Sequence, residues 1–139
     1  VDACSTGPDR PLVVVDAANV VGSVPDGWWR DRAGAAARLR DRLEQVVRDG
    51  LPGQPGLPGW VAEPPLEVLL VVEGAARSVR QTGTVGVLAA GGSGDDAVVE
   101  AVRAAAGRRC LVVTSDRGLR DRVRALGAAV TGPRCLRRS

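Results

Sequence analysis

The chain contains no histidine, phenylalanine, tyrosine, methionine or lysine. Without histidine there is no imidazole acid or base, no Ser-His-Asp triad and none of the common zinc sites. Without Phe, Tyr and Met, the core must rest on Val, Leu and Ala, and Trp28, Trp29 and Trp60 are the whole aromatic complement. Every basic side chain is an arginine, and the abundance of Ala, Gly, Val and Arg looks like high-GC coding bias more than a structural requirement. Cysteine is sparse. Cys4, Cys110 and Cys135 are odd in number and have no CxxC spacing, so a reduced, cytoplasmic setting is expected rather than a disulfide framework. No basic-then-apolar leader opens the chain, and no apolar run approaches the ~20 residues of a membrane span.

What is present fits one domain of 139 residues. A chain of that length buries roughly two-thirds of its unfolded surface. The net charge of +3 permits nucleic-acid binding without demanding it. Residues 1–10 read as a flexible lead-in, 11–131 as the domain and 132–139 as an arginine-rich tail. Strands are expected at about 11–16, 66–73 and 110–115, with a weaker one at 84–89 and a short last one at 128–131. Helices are expected at about 28–49, 94–106 and 117–126. Ala36, Leu39, Leu43, Val46 and Val47 would line the first, Val98, Ala101, Val102 and Ala105 the second, and Leu119, Val123 and Leu126 the third. The Pro/Gly-rich stretch at 50–65 reads as a surface loop. Alternation of this kind predicts an α/β fold, a three-layer α/β/α sandwich on a mainly parallel sheet.

The chemistry lies in where the acids fall. Pro11–Val15 ends at Asp16, Leu66–Val72 at Glu73, and Cys110–Ser115 at Asp116. Asp95 and Asp96 open a helix after Gly91-Gly92-Ser93-Gly94. In open α/β sheets the ligand sits outside the carboxyl ends of the strands, so these acids are expected to meet there. Each has a local alternative. Asp16 can cap the following turn, with Asn19 tolerating a left-handed conformation. One of Asp95 and Asp96 can cap its helix while the other enters the cleft, since adjacent helical residues point about 100° apart. Ser115 can cap the last helix and leave Asp116 free. Capping, however, does not account for Glu73 at a strand end with no strong helix after it. Carboxylates packed together raise one another's pKa, and Mg²⁺ or Mn²⁺ relieves this with hard oxygen ligands. Such an ion acidifies water and stabilises charge on a leaving oxygen, which suits phosphodiester hydrolysis in a protein without histidine.

The motifs resemble a known family. Val13-Val14-Val15-Asp16-Ala17-Ala18-Asn19-Val20-Val21-Gly22 resembles the opening of NYN domains, PIN-like ribonucleases, and the bacterial YacP-like branch looks closest. Leu70-Val71-Val72-Glu73-Gly74-Ala75 is similar to that branch's second strand, with Glu where Asp is usual. Gly94-Asp95-Asp96-Ala97-Val98-Val99 and Val112-Val113-Thr114-Ser115-Asp116-Arg117-Gly118-Leu119-Arg120-Asp121 resemble its two later acidic motifs. The resemblance implies a PIN-like fold and metal-dependent endoribonuclease activity on single-stranded RNA. By position, Asp16, Asp95 or Asp96, and Asp116 would hold the metal, Asn19 and Ser115 would orient water or phosphate, and Glu73 would assist.

Arg77, Arg80, Arg117 and Arg120 follow the acids and can contact an RNA backbone on either side, or serve solubility alone. Arg134, Arg137 and Arg138 in the tail can add non-specific affinity. Of Trp28 and Trp29, one is expected in the core and the other can stack an unpaired base. Two rivals remain. The fold can serve as a catalytically weak RNA-binding or interaction module. A Toprim-like metal domain matches Val71-Val72-Glu73-Gly74 but lacks its downstream Asp-x-Asp. A Rossmann nucleotide site is disfavoured because no GxGxxG follows the first strand. The pattern carries no signal for a ribosome-bound or self-associated state.

Overall fold

The computed structural model describes residues 10–23, 27–51 and 56–136. The lead-in at 1–9 with Cys4, part of the Pro/Gly loop at 52–55, and Arg137 and Arg138 of the tail lie outside the described residues. Five strands, β1 (Leu12–Asp16), β2 (Glu67–Val72), β3 (Val85–Ala89), β4 (Cys110–Val113) and β5 (Ala129–Thr131), form one sheet in the order β3-β2-β1-β4-β5. Every pairing is parallel. The expected α/β/α sandwich is what the chain adopts.

The sheet is two-sided because its central strands are apolar at every position. Val13 and Val15 of β1 face helices α1 (Ala17–Gly22) and α2 (Arg32–Asp49), joined by Leu39, Leu43, Leu70 and Val72. Leu12 and Val14 face α3 (Gly94–Ala104) and α4 (Arg117–Arg124), joined by Val98, Val102, Val112 and Val123. Each fully buried Val or Leu contributes about 1.5–3 kcal/mol, so the missing aromatics are replaced by number rather than size. Among the described residues no helix is long and apolar enough to cross a membrane.

From β1 the chain builds outward to β2 and β3, then returns to lay β4 against β1's other edge. The helices after β1 pack on one face and those flanking β4 on the other. The carboxyl ends of β1 and β4 therefore part company with their helices, which opens a crevice at this switch point.

Several local expectations need correction. The helix expected from Trp28 begins only at Arg32. Trp28–Arg30 form a single 3-10 turn, and Asp31 leaves helical geometry (φ −152°) to accept the Gly34 N–H at 2.9 Å as the α2 cap. The segment after Asp16, whose pattern reads as leaving the sheet into a Gly/Pro-containing loop to Gly27, forms helix α1 at Ala17–Gly22. Leu126 is 40% exposed, because α4 has already ended at Arg124 and helical spacing no longer applies. Past β5, Pro133–Leu136 form a 3-10 turn that buries Cys135 against the α1/α2 side. Gly50 ends α2 at φ +76°, where a Cβ would meet the Val61 carbonyl oxygen at 2.9 Å.

Candidate functional site

Strand period places Asp16. Leu12, Val14 and Asp16 alternate onto the α3/α4 face, and Cys110, Val112 and Thr114 do the same on the neighbouring strand path. Asp16 and Thr114 thus end up side by side and buried, at 5% and 0% exposure. The Thr114 hydroxyl donates to Asp16 Oδ2 at 3.1 Å, and the Asn19 N–H makes a long 3.5 Å contact with Oδ1 as the cap of α1. The local capping role and the cleft position are both realised in Asp16.

Asn19 ties the two strand ends together. Its Oδ1 accepts the Ser115 N–H at 2.8 Å and the Ser115 hydroxyl at 3.0 Å. Ser115 is therefore not the cap of α4. Asp116 is, accepting the Leu119 N–H at 2.9 Å. Thr114 Oγ1 also accepts the Asp116 N–H at 3.2 Å, so one buried hydroxyl orients two acids.

Asp95 and Asp96 separate as their angular offset requires, though neither caps. Ser93 caps α3 by accepting the Asp95 N–H at 3.1 Å. Asp96 turns to α4 and pairs with Arg122 at 3.0 Å on the exposed surface. Asp95 stays half-buried beside the other acids. Glu73 Oε1 accepts the Gly94 N–H at 3.0 Å, anchoring the start of α3 to the end of β2. A Cβ at residue 94 would collide with this carboxylate, which is why a glycine stands there.

The electrostatics mark the group as one cluster. Asp16 is pushed up from 3.8 to about 6, first by burial and then by the charges of Asp95 and Glu73, against the lowering effect of its hydrogen bonds. Asp95 is also raised, by burial and then by Asp116 and Glu73, with Arg122 offsetting part of it. Among the described residues none of Asp16, Glu73, Asp95 and Asp116 has an arginine within ion-pair distance. As they stand, no three acids among the described residues converge closely enough to ligate one ion. The charge arrangement fits a hard cation, whereas the side-chain positions leave the donor set open.

No family model matches the chain, and no curated protein matches it in sequence. Among solved structures, it is similar to the crystal structure of a variant of Rae1 (YacP) from Bacillus subtilis. The TM-score is 0.65 at 17% identity, over 91% of this chain and 72% of that one. The chain has a YacP-like NYN fold.

Within this YacP-like fold the arginines divide. Arg77 and Arg117 are exposed, with no ion pair to another of the described residues, and Arg80 is exposed with its carbonyl accepting from Arg40 at 2.9 Å. Arg120 is half-buried and donates from Nε to the Thr114 carbonyl at 2.7 Å, bracing the end of β4. Trp29 is 55% exposed, while Trp28 is half-buried with the Arg32 guanidinium 5.3 Å from its ring centre. Trp60, not Trp28 or Trp29, packs against the core. Sequence reasoning passed over Thr114, although the two-residue alternation Cys110, Val112, Thr114 already aimed it at Asp16. It also passed over Arg32, for which no local signal existed.

Proposed function

We propose that this protein is a Mg²⁺- or Mn²⁺-dependent endoribonuclease acting on single-stranded RNA. One observation carries the reading. At the sheet's switch point a buried aspartate, hydrogen-bonded by Thr114 and Asn19, is raised to about 6 by burial and by the charges of Asp95 and Glu73, with no cation within ion-pair distance among the described residues. A soluble fold tolerates such a cluster at a cost in stability, and sites of this kind are where function concentrates.

Asp16, Asp95 and Asp116 are the residues that would hold the ion. Asp116 is exposed and Asp95 half-buried, so a change of rotamer, a fast motion for such side chains, can bring them toward Asp16. When bound, the ion lowers the pKa of water and offsets charge on the leaving oxygen. The chain's own residues do the rest. Thr114 fixes the Asp16 carboxylate, and the Asn19–Ser115 link holds the ends of β1 and β4 at constant separation. Asn19 and Ser115 therefore act as positioning residues. Glu73 sets the start of α3 and hence Asp95, while Asp96 balances Arg122 on the surface. Arg77, Arg80 and Arg117 supply phosphate contacts, and Arg120 keeps Thr114 in place while its outer guanidinium nitrogens face the same role.

A cytoplasmic setting suits the free thiols of Cys110 and Cys135, both buried and both pushed up to about 11 by burial. The second reading, an RNA-binding module without cleavage, draws on the acids that do not converge. Incubation with labelled single-stranded RNA and Mn²⁺ separates the two. Cleavage that stops with EDTA and with Asp16→Asn supports the nuclease. Intact RNA, with binding insensitive to EDTA, supports the module and ends the first reading.

A further inference from the structure

Beside the acid cluster, on the α1/α2 side, lies a cavity of about 150 Å³. Small residues make the room: Ala17 and Ala18 of α1 and Ala76 beyond β2 form much of its wall. Trp28, Arg32 and Glu73 supply its chemistry. Resting on the nuclease reading, we propose that this cavity holds one base of the RNA strand and selects cytosine.

Size favours a single ring. An open pocket of roughly 150 Å³ has room for one benzene-sized ring, which a pyrimidine matches more closely than a purine. The Trp28 indole carries Arg32 over one face, 5.3 Å from its centre, and its other face can stack a planar ring. The polar groups then choose between pyrimidines. Glu73 spends Oε1 on the Gly94 N–H, leaving Oε2 without a protein hydrogen bond among the described residues. Arg32 makes no ion pair among them either. A carboxylate accepts from the cytosine N4 amino group, and a guanidinium donates to the O2 and N3 acceptors. Uracil presents O4 where cytosine presents N4, so the same carboxylate repels it. Location agrees with the role: Glu73, which lines the cavity, also holds the start of α3 next to Asp95, and its charge is felt at Asp16. A base held here brings its own phosphate toward the acids.

The test uses fluorescein-labelled oligo(rC), oligo(rU) and oligo(rA) in EDTA, read by anisotropy, with free CMP as competitor. Oligo(rC) is expected to bind about ten-fold tighter than the others, the discrimination of one good base contact. Trp28→Ala should lower that affinity by roughly five-fold or more, as loss of base stacking does. Glu73→Gln keeps an acceptor for Gly94 and adds an amide donor, so preference should move from oligo(rC) to oligo(rU). Equal binding of the three oligomers overturns the proposal, as does a cytosine preference that survives both substitutions. CMP binding tighter than oligo(rC) overturns it in favour of a mononucleotide site. Cleavage of mixed RNA without base preference refutes the pocket and leaves the nuclease standing. Cytosine-selective binding without cleavage does the reverse.

Discussion

Replacing Asp16 by Asn should make the metal-free protein more stable at alkaline pH and less stable in acid. The Asp16 carboxyl is 5% exposed and its pKa rises from 3.8 to about 6 on folding. The folded chain thus binds more protons than the unfolded chain between those values, and stability falls as pH rises through the window. At about 1.4 kcal/mol per pKa unit, the shift costs the wild type roughly 3 kcal/mol once the carboxylate is fully ionised. Asn cannot ionise and escapes that cost. It does lose an acceptor, because Thr114 Oγ1 and the Asn19 N–H both point at carboxylate oxygens and an amide has one oxygen only. One such bond is worth about 1 kcal/mol. Asp16→Asn is therefore expected to be about 0.5 kcal/mol less stable than wild type at about pH 4, and about 2 kcal/mol more stable at about pH 8. Urea unfolding in EDTA, followed by circular dichroism at both pH values, measures the two gaps. Effects of groups not coupled to Asp16 cancel in the comparison. A gap that does not move with pH would show that Asp16 is not the desolvated group described above. Replacing EDTA by Mg²⁺ adds a second arm. At about ten times the dissociation constant, the ion should raise wild-type stability by about 1.4 kcal/mol and leave the variant unchanged.

The two adjacent acids of α3 should behave differently. Asp95→Asn is expected to abolish RNA cleavage, whereas Asp96→Asn, which only breaks an exposed pair with Arg122, should keep it and cost under about 1 kcal/mol in urea unfolding. Thr114→Val removes a fully buried hydroxyl that serves both Asp16 and Asp116. It should destabilise by about 1–3 kcal/mol and raise the Asp16 pKa further, which a carboxyl-edited NMR titration reads directly. Gly94→Ala puts a methyl group against the Glu73 carboxylate. It should lower both melting temperature and cleavage, and Glu73→Ala in the same chain should restore the former without the latter.

The fold was legible because its signals are local and repeated. Runs such as Leu12–Val15 and Leu111–Val113 are too β-branched and too continuously apolar for anything but central parallel strands, and all were found within a residue or two. The place of the acids was legible for the same reason: a strand end in a parallel sheet is a definite location. Local choices among capping atoms were not. Whether Ser115 or Asp116 caps α4 depends on Asn19, which comes from 96 residues away and takes the serine. Trp28 looked like the start of a helix because nothing in the sequence shows that Asp31 turns out of helical geometry to cap at Arg32.

By itself, the sequence determined that the chain is an α/β sandwich, that it offers carboxylates and no imidazole, and that acids end its strands. Composition and period suffice for that, since both act within a single element. Only the tertiary structure decided which acids face one another. It set Asp95 inward and Asp96 on Arg122, spent one Glu73 oxygen on Gly94, and gathered Trp28, Arg32 and Glu73 around one cavity. The pairings of the acids depend on the return of the chain from β3 to β4 alongside β1. That crossover brings together residues far apart in sequence, and their charges then settle one another's protonation and pairing.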